Sequence, residues 1–121
     1  MIDTHCHFNF KEFGDKRRLL DATIISGVSR IINPSSSLVD SLESYNLSKE
    51  FENIYFTPGI HPESLLDLPN INLIEEHIND KKCVGIGEIG LDYHYFTNSQ
   101  IHKFTNRGDK EKTRRTIYRT A

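Results

Sequence analysis

His5 and His7 flank Cys6 in the run Asp3-Thr4-His5-Cys6-His7-Phe8, at the end of the short apolar stretch that opens the chain. In an extended strand alternate side chains share a face. His5 and His7 would then stand side by side above Asp3, with Ile2, Thr4 and Cys6 pointing the other way. Two imidazoles on one face can grip a divalent metal ion. With six histidines in 121 residues such a pair also arises by chance, so its weight depends on what accompanies it. Glu88 lies in Val84-Gly85-Ile86-Gly87-Glu88-Ile89-Gly90-Leu91-Asp92-Tyr93, an apolar run ending on a carboxylate among glycines that permit close backbone approach. A carboxylate so placed can bridge two metal ions through its two oxygens, or it can cap a helix or pair with a cation at the rim. Asp92 reads as a hydrogen-bond organiser of the loop. His61, in Gly59-Ile60-His61-Pro62, precedes a proline suited to start a helix. It could contact a phosphate, donate a proton, or stand at the helix entry with no chemistry. His77, His94 and His102 have no comparable placement and receive no role.

The elements that would position these residues alternate between two periodicities. Residues 2–7 read as a strand. Residues 15–27 read as a helix with Leu19, Leu20, Ile24 and Ile25 on one stripe and Gly27 as its stop. Residues 28–33 form a second strand, followed by Pro34 and three serines that can cap a helix over 38–51. Residues 54–57 form a third strand closed by Pro58-Gly59. A helix is predicted near 72–79, a fourth strand over 83–89, and a further helix from about Lys110. Four βα alternations imply a parallel sheet covered by helices. That is either a small open α/β domain or half of an eight-stranded barrel, which needs about 250 residues. Three of the four strand ends carry metal-competent residues, and βα folds collect their chemistry at those ends.

Composition bounds the partners. The hydrophobic share is 36% and the mean hydropathy −0.51, so the chain reads as water-soluble with a lean core. The net charge of −2 predicts no bulk attraction to nucleic acid. Residues 102–121 carry seven cations against two anions, which leaves −7 on residues 1–101. This basic tail could meet phosphate, although such a run is more often a solvated face. Nothing resembles a signal peptide, and no apolar stretch is long enough to span a bilayer, so a cytosolic or nuclear setting is expected. Cys6 and Cys83 are expected to be buried hydrophobes rather than a disulfide or a metal site.

Taken in order, Met1-Ile2-Asp3-Thr4-His5-Cys6-His7-Phe8, Gly59-Ile60-His61-Pro62-Glu63 and Val84-Gly85-Ile86-Gly87-Glu88-Ile89-Gly90-Leu91-Asp92-Tyr93 resemble the TatD family of metal-dependent deoxyribonucleases, over residues 1 to about 116. The resemblance implies an α/β fold, here the N-terminal half of a (β/α)8 TIM barrel of the metal-dependent hydrolase type, ending after about four βα units. It implies hydrolysis of phosphodiester bonds with DNA as substrate, by 3′–5′ exonuclease action and through water activated by metal. Two divalent ions per complete site are implied, their identity among Mg, Mn and Zn left open. The positions matched by His5 and His7 bind one ion, that matched by Glu88 bridges both, and that matched by His61 looks like a contact to the substrate phosphate. The family's later ligands, two histidines and an aspartate, have no counterpart in these 121 residues. The chain alone is therefore expected to bind metal weakly and to cleave DNA poorly, or to act only as a non-catalytic binding module. A half barrel leaves sheet edges and apolar surface open, which predicts self-association. The family pattern continues with Phe-x-x-Gln-Leu where this chain reads Ile117-Tyr118-Arg119-Thr120-Ala121. One coding of those residues read a single base later gives Phe-Ile-Glu-Gln-Leu, so the whole chain reads as one partial domain with 117–121 out of frame.

Overall fold

The structure, a computed structural model, describes residues 1–90. Its frame is a three-stranded parallel sheet in the order β1 (Ile2–Asp3), β2 (Arg30–Pro34), β3 (Ile54–Thr57). Ile2 pairs with Arg30, and Ile31 to Pro34 pair with Ile54 to Thr57. The crossovers are α1 (Lys16–Ile25) and α2 (Leu38–Glu50), each opened by a cap of the expected kind. The Asp15 carboxylate accepts from the Arg18 amide at 3.1 Å, and the Ser37 hydroxyl from the Asp40 amide at 3.1 Å. Gly27 takes the left-handed φ of 95° that ends α1. Phe8, Leu20, Ile31, Phe51 and Ile54 form the core between the sheet and α1, and Phe56, Ile60 and Ile74 are buried as well.

Four expectations are corrected. β1 ends at Asp3 rather than at residue 7, because the Asp3 carboxylate accepts the His5 amide at 3.0 Å and bends the chain. The helix expected over 72–79 is a single turn, α3 (Asn72–Glu75), preceded by the 3-10 stretch Pro62–Asn70, which contains Pro69 and a kink at Ser64. Residues 83–89 run beside β3 without forming a strand. Phe56 bridges Cys83 in parallel, the Val84 amide donates to Phe56 O at 3.0 Å, and the next bond joins the Gly87 amide to Pro58 O at 2.9 Å. Val84, Ile86 and Ile89 are exposed there, on a glycine-interrupted sheet edge. Cys6 and Cys83 are free thiols, half-buried rather than fully buried. The helix expected from Lys110 lies outside the described residues. Among the described residues no helix is long and apolar enough to cross a membrane.

Candidate metal centre

The bend after β1 replaces strand alternation as the device that brings the two histidines together. Beyond it, the Cys6 amide rejoins β2 by donating to Ile32 O at 3.2 Å, and the Phe8 amide donates to Cys6 O at 2.8 Å. The imidazoles meet edge to face with centroids 5.0 Å apart. His5 is exposed, and its Nε2 lies 3.1 Å from Glu88 Oε1. His7 is half-buried, stacked on Phe10 at 5.0 Å, and its Nδ1 is buried with no hydrogen-bond partner among the described residues. Burial raises the Cys6 thiol above its ordinary pKa; Asp3 adds to the rise and Lys16 opposes it.

Glu88 reaches this pair because its backbone is pinned from two sides. The Glu88 amide donates to Ser35 O at 2.6 Å and the Ser35 amide returns a bond to Gly87 O at 3.3 Å. Gly87 also donates to Pro58 O at 2.9 Å and accepts from the Thr57 hydroxyl at 3.1 Å. Gly59 must be a glycine: a Cβ there would lie 2.6 Å from Glu88 N and Gly87 O, and closer still to the Gly87 carbonyl carbon.

One potential ligand atom from each of His5, His7 and Glu88 falls within 4.8 Å of the others. Two imidazoles and a carboxylate are a donor set that first-row divalent ions accept. The partnerless His7 nitrogen fits the same reading, because a buried polar atom without a partner is costly. His61 is not in this cluster. Its amide donates to Ser36 O at 2.8 Å, next to the serine that holds Glu88. Its Nδ1 accepts the Glu63 amide at 3.2 Å, with the Glu63 carboxylate at 3.9 Å, which leaves Nε2 as the ring nitrogen without a partner among the described residues. Asp92, His94 and His102 lie outside the described residues. His77 stacks flat on Tyr45 at 3.9 Å, a packing role.

A second layer escaped the sequence reading. Asn33 is fully buried; its Oδ1 accepts the Phe8 amide, and its Nδ2 donates to Ser44 Oγ at 2.6 Å and to Asn9 Oδ1 at 3.1 Å. Ser35 Oγ donates to Ser44 Oγ at 3.0 Å, and Ser41 Oγ meets both the amide and the carbonyl of Gly59 at 3.2 Å. The available signal was the spacing of Ser37, Ser41, Ser44 and Ser48, which puts a serine on one face of α2 every turn.

A family model described as TatD related DNase matches residues 2–108. The "Uncharacterized metal-dependent hydrolase YjjV" of Escherichia coli strain K12 is 33% identical over 96 residues, which are 75% of this chain and 37% of that protein. The "Putative deoxyribonuclease TATDN1 homolog" of Vairimorpha ceranae is 29% identical over 104 residues, 84% of this chain and 36% of that protein. The crystal structure of YjjV, a TatD homolog from Escherichia coli K12, superposes with a TM-score of 0.68 at 30% identity, covering 88% of this chain and 42% of that one. The chain thus spans well under half the length of these relatives, in a fold of TIM-barrel type. With the three motifs inside the matched stretch and the same backbone course in a solved relative, the chain belongs to the TatD related DNase family.

Proposed function

We propose that the chain carries the first half of a two-ion deoxyribonuclease site, in which His5 and His7 hold one divalent ion and Glu88 bridges it to a second. The observation that supports this most is the convergence of the three side chains from two segments far apart in sequence, within 4.8 Å. Bound ions would supply the positive charge that activates water and offsets charge on the phosphoryl oxygens. The chain's own contribution is placement. Asp3 fixes the bend under His5, and Ser35 and Pro58 fix the peptide that carries Glu88. In this reading His61 donates from Nε2 to a substrate phosphate, which the Glu63 amide on Nδ1 supports. The substrate in this reading is DNA, cleaved in the 3′–5′ direction. With three donors among the described residues, the chain in this reading binds metal weakly and turns over DNA slowly.

Titration of the purified chain with Mn or Zn against a chelating indicator tests the reading, alongside a nuclease assay on single-stranded DNA. Saturable binding that disappears in His5→Ala and Glu88→Ala is expected, with any DNA cleavage lost in the same variants. Binding that survives both substitutions, or no binding of either metal, refutes it.

A further inference from the structure

Three aromatic rings continue outward from the proposed metal ligands. His7 stacks on Phe10 at 5.0 Å and 17°, and Phe10 stacks on Phe13 at 6.5 Å and 22°. Phe13 is anchored to the core through Phe8 at 6.4 Å. Phe8, Phe51 and Phe56 are at most 3% exposed, whereas Phe10 and Phe13 are 47% and 42% exposed. A phenylalanine left half in water is not contributing fully to the core, and here two adjacent ones are nearly parallel. Ile25 and Leu66 are also exposed, but they are aliphatic and offer no flat face. The segment that carries the ladder is net positive in a chain that is not: Lys11, Lys16, Arg17 and Arg18 stand against Glu12 and Asp15, a balance of +2 within residues 1–101, whose net charge is −7. Lys16 Nζ lies 5.4 Å from the Phe13 ring centre and donates to Phe10 O.

Flat aromatic faces beside cations are how proteins hold single-stranded nucleic acid without reading its sequence, the bases stacking while the cations meet phosphates. We propose that Phe10 and Phe13 form a stacking site for the bases of single-stranded DNA. It receives the nucleotides next to the phosphate presented to His5, His7 and Glu88. The loop carrying the ladder also carries His7, so a base stacked on Phe10 stays within one nucleotide of the metal centre. The site is sequence-tolerant and favours single strands, because a paired base has both faces covered by its own stack. This rests on the proposed deoxyribonuclease reading for its choice of DNA.

The test is fluorescence anisotropy of a labelled oligothymidylate with the full chain, at fixed low salt and with chelator present so that the strand stays intact. Phe10→Ala should weaken binding about tenfold, within the span set by base–aromatic stacking. Phe10→Trp should bind at least as well as the parent. Phe10→Leu, which keeps apolar bulk without a flat π-face, should fall with Ala. A probe with abasic positions should bind the parent weakly and lose nothing more on Phe10→Ala. Equal binding by the Phe, Leu and Ala forms, or a further loss on Phe10→Ala with the abasic probe, overturns the stacking site while leaving the deoxyribonuclease reading intact. No binding of any oligonucleotide by a parent chain that takes up metal in the separate metal titration overturns both.

Discussion

Replacing Gly59 by alanine separates placement of Glu88 from possession of it. The new Cβ would sit 2.6 Å from Glu88 N and Gly87 O and closer still to the Gly87 carbonyl carbon, where ordinary contact begins near 3.4 Å, so the Gly87–Glu88 peptide must retreat by about 1.1 Å. No side chain can rotate away to absorb this, because the opposing atoms are backbone. Gly59 itself is held by the Ser41 hydroxyl at 3.2 Å, so the strain falls on the bonds from Glu88 to Ser35 and from Gly87 to Pro58. Overpacking costs about 1–3 kcal/mol and a weakened hydrogen bond about 0.5–1.5 kcal/mol, so a loss of about 2–4 kcal/mol is expected. Metal–ligand distances tolerate about 0.2 Å, so a carboxylate carried out of place should lower metal affinity by about 10–100-fold. Urea unfolding gives the first number and chelator competition the second. Gly90→Ala is the control, because a Cβ there meets nothing within 4 Å, and it should leave both values near the parent's. A Gly59→Ala chain that binds metal and unfolds like the parent would show that the close approach does not set the site.

Asn33→Ala should destabilise by about 2–3 kcal/mol in urea, because it removes the three bonds that the Asn33 side chain makes with the Phe8 amide, the Ser44 hydroxyl and Asn9, and it should weaken metal binding through the His7 loop. Lys82→Met should cost about 1–2 kcal/mol by thermal melting, since Lys82 Nζ donates at 2.7 Å to both Ser48 O and Phe51 O at the C-terminal end of α2. The Asp80 carboxyl is held below its ordinary pKa, first by the Lys49 side chain and then by the Lys82 amide. A depressed carboxyl stabilises the fold above its unfolded pKa, near 3.9, and that contribution fades as pH falls through the folded value. Asp80→Asn should therefore lower the melting temperature slightly at pH 7 and not at pH 2, the effect staying small because the pair is at the surface.

The sequence signals that held were those backed by local chemistry. The third strand, expected over 54–57 on a run closed by Pro58-Gly59, is present as Ile54–Thr57, with burial alternating along it. α2 starts where the serine cap predicts. β1 was read too long because apolar alternation does not reveal that Asp3 will accept a nearby amide and end the pairing. The apolar run 83–89 looked like a strand, but its glycines and the pull of Ser35 on Glu88 take it off the ladder after Cys83. His5, His7 and Glu88 stand out in the sequence because few residue types can hold metal, and the fold brings their potential ligand atoms within 4.8 Å of one another. Asn33, Ser35, Ser41 and Ser44 were not, because asparagine and serine in a sequence read first as turn and cap residues.

That polar layer explains why α2 presents serines where hydrophobic residues would bury more apolar area. A leucine at 41 or 44 would contribute about 1.5–3 kcal/mol of burial if it fitted, and would hold nothing in a defined direction. The serine hydroxyls instead tie down every loop that matters. Ser44 takes Asn33, which takes the amide after His7. Ser44 also takes Ser35, whose carbonyl takes Glu88, and Ser41 takes Gly59, against which Glu88's peptide rests. Three loops from separate crossovers are thereby referenced to one helix face. It follows that the residues that would hold the ion and the residues that would aim it should be separable by experiment. His5 is exposed, so removing its side chain should cost metal affinity with little stability. Asn33 is fully buried, so removing its side chain should cost both.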